Sequence, residues 1–159
     1  MLAGSGFVLS GVSFGAREAF AGDPPGEITA EFLILHATNE GTGIDKDIGD
    51  IPELKKPPFS SYDTYKLLER GKLKLPKRKE QEKKLPNSDN VALTYKDYKE
   101  AKKDQPEKFV IPARVVKKDG EEVVSATYTA PKGQYFFVAG PKFTKGKSKG
   151  ILVVGFKIV

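Results

Sequence analysis

Apolar positions begin to alternate at Ile28. Ile28, Ala30, Phe32 and Ile34 share one face of an extended chain by its two-residue period, and Leu33 and Leu35 make the opposite face apolar as well. A strand that is apolar on both faces must be covered on both, so residues 28–37 are expected in the middle of the fold. Residues 62–75 read as a second strand, with Gly71 as a candidate interruption and Lys72-Leu73-Lys74-Leu75 alternating until Pro76 stops them. The charged run 77–84 predicts an exposed edge strand, closed by the turn residues Leu85-Pro86-Asn87. Val91, Leu93 and Tyr95 line the next strand; residues 96–105 are too polar for a core, with a candidate helical turn over 98–103.

Phe109, Ile111, Ala113 and Val115 again share a face, and Val124, Ala126 and Tyr128 return after Asp119-Gly120, the dipeptide of a tight hairpin. Residues 135–139 and 151–159 form a last pair around the Gly- and Lys-rich loop 140–150, and the nearly continuous apolar character of the final segment predicts a central strand. One departure from the two-residue period stands out. Thr42-Gly43-Ile44-Asp45 has the form of a capping box, and Ile44, Ile48 and Ile51 recur at helical spacing, which predicts one short helix or helical turn near residues 43–54, ended near Pro52 or shortly after Leu54, with Pro57-Pro58 preventing its continuation. Seven or eight strands with short connections predict a mainly β fold, an antiparallel β-sandwich with a small β-barrel as the alternative. No βαβ alternation and no fixed repeat argues for anything else.

The length of 159 residues fits one domain, expected over residues 28–159, with 22–27 as a Pro-containing linker. Before it, residues 2–16 are small and apolar without a charge, and Ala19-Phe20-Ala21 is the small-x-small pattern that a signal peptidase accepts. Residues 1–21 are therefore expected to be a signal peptide, Gly22 the first mature residue, and the mature chain periplasmic or secreted, with no transmembrane segment. The missing positive n-region is what a start codon placed inside a longer leader would leave. Cysteine is absent, so neither a disulfide framework nor a lipid-attachment thiol exists.

Lys+Arg 27 against Asp+Glu 21 gives a formal charge of +6, which raises an anionic polymer as a partner. The lysines alternate with acids over much of the chain, however, as solvated strand faces and guarded sheet edges require. Tyr62, Tyr65, Tyr95 and Tyr98 lie among these lysines, a mixture that stacks bases or sugar rings while contacting phosphates if the rings share one exposed surface. His36, the only histidine, falls on the face of Phe32 and Ile34; it is a candidate base or ligand, with no Ser, Cys or carboxylate at a recognisable spacing.

Asp45, Asp47 and Asp50 imitate the start of a calcium loop, but Gly49 and Asp50 stand in the reverse of the required order and Leu54 and Lys55 occupy the region of the closing acid. Gly146-Lys147-Ser148 after Gly140 imitates a phosphate loop with one residue too many between the glycines and a strand, not a helix, behind it. Neither a metal, a nucleotide nor another cofactor is therefore expected.

The run Leu35-His36-Ala37-Thr38-Asn39-Glu40-Gly41 with Ile44-Asp45, and the later Val138-Ala139-Gly140-Pro141 and Gly150-Ile151-Leu152-Val153-Val154, resemble small exported bacterial β-domain proteins of uncharacterised function. The resemblance implies a compact β domain and carries over no activity and no site residue. The expectation is a non-enzymatic envelope or secreted module that binds an envelope protein or serves structurally. The alternatives are a polyanion or glycan binder working through Lys and Tyr, and a hydrolase using His36.

Overall fold

A computed structural model describes residues 24–159. The expected leader and the first residues of the linker lie outside the described residues. Ten strands follow in order: β1 (Glu27–Thr38), β2 (Gly43–Ile44), β3 (Thr64–Pro76), β4 (Glu80–Lys84), β5 (Asn90–Thr94), β6 (Asp97–Lys99), β7 (Lys108–Val116), β8 (Glu122–Pro131), β9 (Tyr135–Lys145) and β10 (Ser148–Ile158). They form two sheets packed face to face. The first has the order β2-β3-β1-β10-β9; the second runs from β4 through β5 to β7, with β6 continuing the line of β5 along β7 and β8 on the other side of β7.

The interior between the sheets is filled by alternate residues. Ile28, Ala30, Phe32 and Ile34 of β1 meet Leu152, Val154, Phe156 and Ile158 of β10 in the first sheet, facing Val91, Leu93, Phe109, Ile111 and Val115 of the second. The other side of β1 is apolar because it too is covered. Leu33, Leu35 and Ala37, with Val153 and Phe137, lie beneath Ile48, Ile51 and Leu54 of the connection from β2 to β3. That connection is a strap across the outer face of the first sheet. Each fully buried Leu, Ile or Phe side chain in these two layers contributes about 1.5–3 kcal/mol, so the strap holds its place by three such anchors.

The short helix or helical turn expected near residues 43–54 is a single 3₁₀ turn at the end of that span, and the capping box expected to open it is absent. Gly43 and Ile44 pair in parallel with Thr64 and Tyr65, and the Thr42 amide donates to Thr64 Oγ1 at 3.0 Å, so no capping box forms. The helical content of the strap is one 3₁₀ turn over Pro52–Lys55, which Pro52 opens, and a second over Phe59–Ser61. Isoleucines spaced like a helix stripe are here the points at which an irregular chain is pressed onto a sheet. The loop expected over 140–150 is likewise strand: β9 and β10 run out to a tight turn at Gly146, whose φ is 62°. Gly140 and Pro141 are tolerated because β9 is an edge strand. The candidate helical turn over 98–103 is instead the short strand β6 and a loop. Gly71 does not interrupt β3; the register slips at Leu68, between the pairs Ile34–Glu69 and Leu35–Leu67.

The barrel alternative is excluded by the edges. The chain crosses between sheets after β3 and after β8, yet β8 pairs only with β7 and β9 only with β10, so the sheets do not close on each other. On the β3/β4 side the gap between sheets is bridged by an ion pair from Lys83 to Glu69 at 2.6 Å, with the Lys83 ammonium 5.2 Å from the Phe32 ring. On the β8/β9 side Tyr128 stacks on Phe136 at 4.8 Å near the turn between the two strands, and the rest of that side stays open.

β10 reaches its central place by a close backbone approach. A Cβ on Gly150 would lie 1.8 Å from the Ala37 carbonyl oxygen, whereas one on Gly26 would meet nothing within 4 Å. Gly150→Ala is expected to destabilise the fold by roughly 3 kcal/mol, and Gly26→Ala by no more than about 0.5 kcal/mol, in urea unfolding followed by circular dichroism.

Candidate functional site

The residues singled out in the sequence are dispersed. His36 is 1% exposed, at the end of β1 on the sandwich face, with its ring edge-on to Phe143 at 5.0 Å and Nε2 3.1 Å from the Phe143 carbonyl oxygen. A carbonyl oxygen only accepts, so Nε2 carries the hydrogen and is not a base. A cavity of about 500 Å³ at this end of the first sheet is lined by His36, Asp45, Lys66, Lys145 and Ser148 among others. Its acid is already engaged: Asp45 accepts the amides of Asp47 and Leu67 through its two oxygens.

The four tyrosines do not share a surface. Tyr65 is buried beneath the strap and donates its hydroxyl to the Phe59 carbonyl at 2.6 Å. Tyr62 is half-buried beside the same outer cluster. Tyr95 is buried between the sheets and donates to the Pro25 carbonyl at 2.8 Å, which ties the entering chain to the second sheet. Tyr98 packs on Phe109 and donates to Glu107 Oε2 at 2.6 Å. These hydroxyls are tethers for segments that no strand ladder holds.

The imitated metal and phosphate loops have other roles. Asp50 pairs with Lys55 at 2.8 Å, Asp47 supplies its backbone carbonyl to Arg70, and among the described residues no three His, Cys, Asp or Glu side chains converge. Gly146-Lys147 is the β9–β10 turn, and Ser148 donates to Glu40 at 2.7 Å. That bond and a second from Thr38 hold the Glu40 carboxyl below its usual range, so an anion approaching Ser148 meets a carboxylate.

What the topology does leave unpaired, among the described residues, is an edge. The two sheets have four. β4 reads Glu80-Gln81-Glu82-Lys83-Lys84; β3, where β2 does not cover it, carries Lys66, Glu69, Arg70, Lys72 and Lys74; β9 is uncharged over Tyr135–Gly140 and carries Pro141, Lys142 and Lys145 in its second half. Charge and proline of this kind hinder another strand from docking. β8 has neither between Val123 and Ala130: the run Val-Val-Ser-Ala-Thr-Tyr-Thr-Ala is uncharged, and Ser125, Ala126, Thr127 and Thr129 are exposed. Beside it, between β8 and β9, lies a groove of about 530 Å³ lined by Val123, Val124 and Pro141 with Lys117, Lys142 and Asp89 at its margins. Val123 is 41% exposed. The uncharged run is visible in the sequence, but its position at an edge follows only from the strand order.

Comparison with protein-family models, with curated proteins and with solved structures finds no match to this chain.

The tyrosine tethers set the alkaline behaviour. Donation to Glu107 first, then burial, pushes the Tyr98 phenol up to about 12, and burial first, then the neighbouring Tyr62, pushes Tyr65 up to about 12, against an ordinary value of 10.0. A raised folded value means that both tethers contribute fully below pH 10 and are lost as pH climbs from there towards 12. Unfolding midpoints are expected to fall across that window, and Tyr98→Phe and Tyr65→Phe each to flatten the fall; an unchanged slope in both variants would contradict the assignment.

Proposed function

We propose that the protein is an exported, non-enzymatic module of the envelope or the secreted fraction that works by accepting a protein strand along β8. The observation that carries the reading is the contrast between the three guarded edges and the uncharged one. A strand that adds to an edge gains main-chain hydrogen bonds along its length, and pockets beside that edge select its side chains. The groove between β8 and β9 is such a pocket. Export is argued from residues 2–21, where an uncharged apolar run leads into Ala19-Phe20-Ala21. Binding of a polyanion or glycan by Tyr62, Tyr65, Tyr95 and Tyr98 is not favoured, because two of the rings are buried and all but Tyr62 have their hydroxyls engaged.

The natural product is expected to begin at Gly22 and to fractionate with the periplasm or the medium. Thr127→Lys, a charge placed mid-edge on an exposed side chain, is expected to leave export and near-ultraviolet circular dichroism unchanged and to fail to complement a deletion strain. Full complementation by Thr127→Lys, or an intact chain still starting at Met1 in the cytosol, would reject the reading.

A further inference from the structure

We infer that the strand received by β8 is β8 of a second copy, so that the two second sheets run on as one across a twofold axis. The inference rests on the edge-accepting reading above and names its partner.

An antiparallel ladder alternates hydrogen-bonded and non-hydrogen-bonded pairs. A twofold axis across such a ladder therefore has to fall where a residue faces its own copy. With Thr127 on the axis, every neighbour finds a compatible residue. Ala126 lies opposite Tyr128, a small side chain beside a large one; Ser125 lies opposite Thr129, a hydroxyl pair; Val124 lies opposite Ala130, and the bulge at Val123 ends the regular run there.

The ends complete the match. Glu121 and Glu122 precede the uncharged run and Lys132 follows it, so antiparallel pairing brings the acids of each copy to the lysine of the other at both ends. A parallel arrangement would set acid against acid. These charges have room to be shared: Lys132 keeps half of its side chain exposed while it pairs with Glu107 at 3.1 Å, and Glu122 holds Arg114 only at 3.6 Å, since Arg114 is bound more closely by Glu80 at 2.7 Å. A foreign strand would need this complementarity by coincidence; a second copy carries it by symmetry.

The absence of cysteine makes the register directly readable. Thr127→Cys places two thiols across the axis, where facing Cα atoms lie about 4.5–5.5 Å apart, within the span of a disulfide. Ser125→Cys faces Thr129, and its own copy is displaced four residues along the strand, about 13 Å away. The natural product is expected at twice the chain mass in sedimentation equilibrium, with Thr127→Cys oxidised to a covalent dimer and Ser125→Cys about tenfold less so. Thr127→Lys is expected to return it to the monomer. Lys132→Glu should weaken the dimer about tenfold by opposing acids at both ends, and adding Glu121→Lys and Glu122→Lys should restore it.

A monomer at all accessible concentrations, or a dimer in which Ser125→Cys links as readily as Thr127→Cys, overturns the inference. So does a monomer whose β8 amides are already protected from hydrogen exchange, because then another segment occupies the edge. Failure of the edge-accepting reading is read separately, from complementation by Thr127→Lys. A monomeric protein inactivated by that change would reject the second copy and keep the edge.

Discussion

The architecture depends on covering β1 twice. From Phe32 to Ala37 its side chains are inaccessible in both directions and, His36 apart, apolar, whereas Thr29 and Glu31 leave the outer face of its first half polar. The second sheet meets one direction and the strap between β2 and β3 meets the other. Neither cover is dispensable: without the strap, Leu33, Leu35 and Val153 would form an apolar patch on an otherwise polar face. The strap need not be regular to do this. Ile48, Ile51 and Leu54 press onto the sheet, and the backbone between them is held by side chains, with Asp45 accepting from Leu67 and Arg70 donating to the Asp47 carbonyl.

The same requirement places β10. To flank β1 along its length it needs the same two-sided apolar character, and residues 151–156 supply it with Gly150 at the point of closest backbone approach. The first sheet is thus built around two strands that cannot tolerate water. Its charged residues are concentrated on the free part of β3, at the end of β9 and at the ends of β1 and β10. The second sheet is thinner in apolar residues, and only its inner face is buried: β7 alternates buried and half-buried residues along its whole length. Such a sheet can take another strand at its edge without exposing a second apolar face.

This division explains what could be read from the sequence. The two-residue period located β1, β7, β8 and β10, and the Asp-Gly turn located the hairpin between β7 and β8, because those features are local. His36 falls on the face that alternation gave it. Over the expected helix the strap is helical only in its Pro52–Lys55 turn, because isoleucine spacing reports only that three residues point the same way, and the sheet face they meet is not announced by local spacing. The tyrosines looked like a binding set for a related reason. Tyr95 reaches Pro25 and Tyr98 reaches Glu107, partners seventy and nine residues away, and no spacing rule announces that a phenol is tethering a chain.

The candidate site was hidden differently. Residues 123–130 are unremarkable as a strand, and the absence of charge there would mean nothing in the interior of a sheet. It acquires meaning from the fact that the chain turns at Gly133 and enters the opposite sheet, leaving β8 with one neighbour among the described residues. The other edges show that guarding charges were available: lysines alone make the protein basic, and they stand on β3, β4 and β9. An edge that lacks them in a chain so rich in them is under a different constraint, since a charge at its middle would stand directly opposite its own image if the strand is paired. The neutrality of β8 and the acid-to-lysine polarity of its ends have a common cause in that pairing, which neither the cavities nor the scattered titratable groups of the first sheet supply.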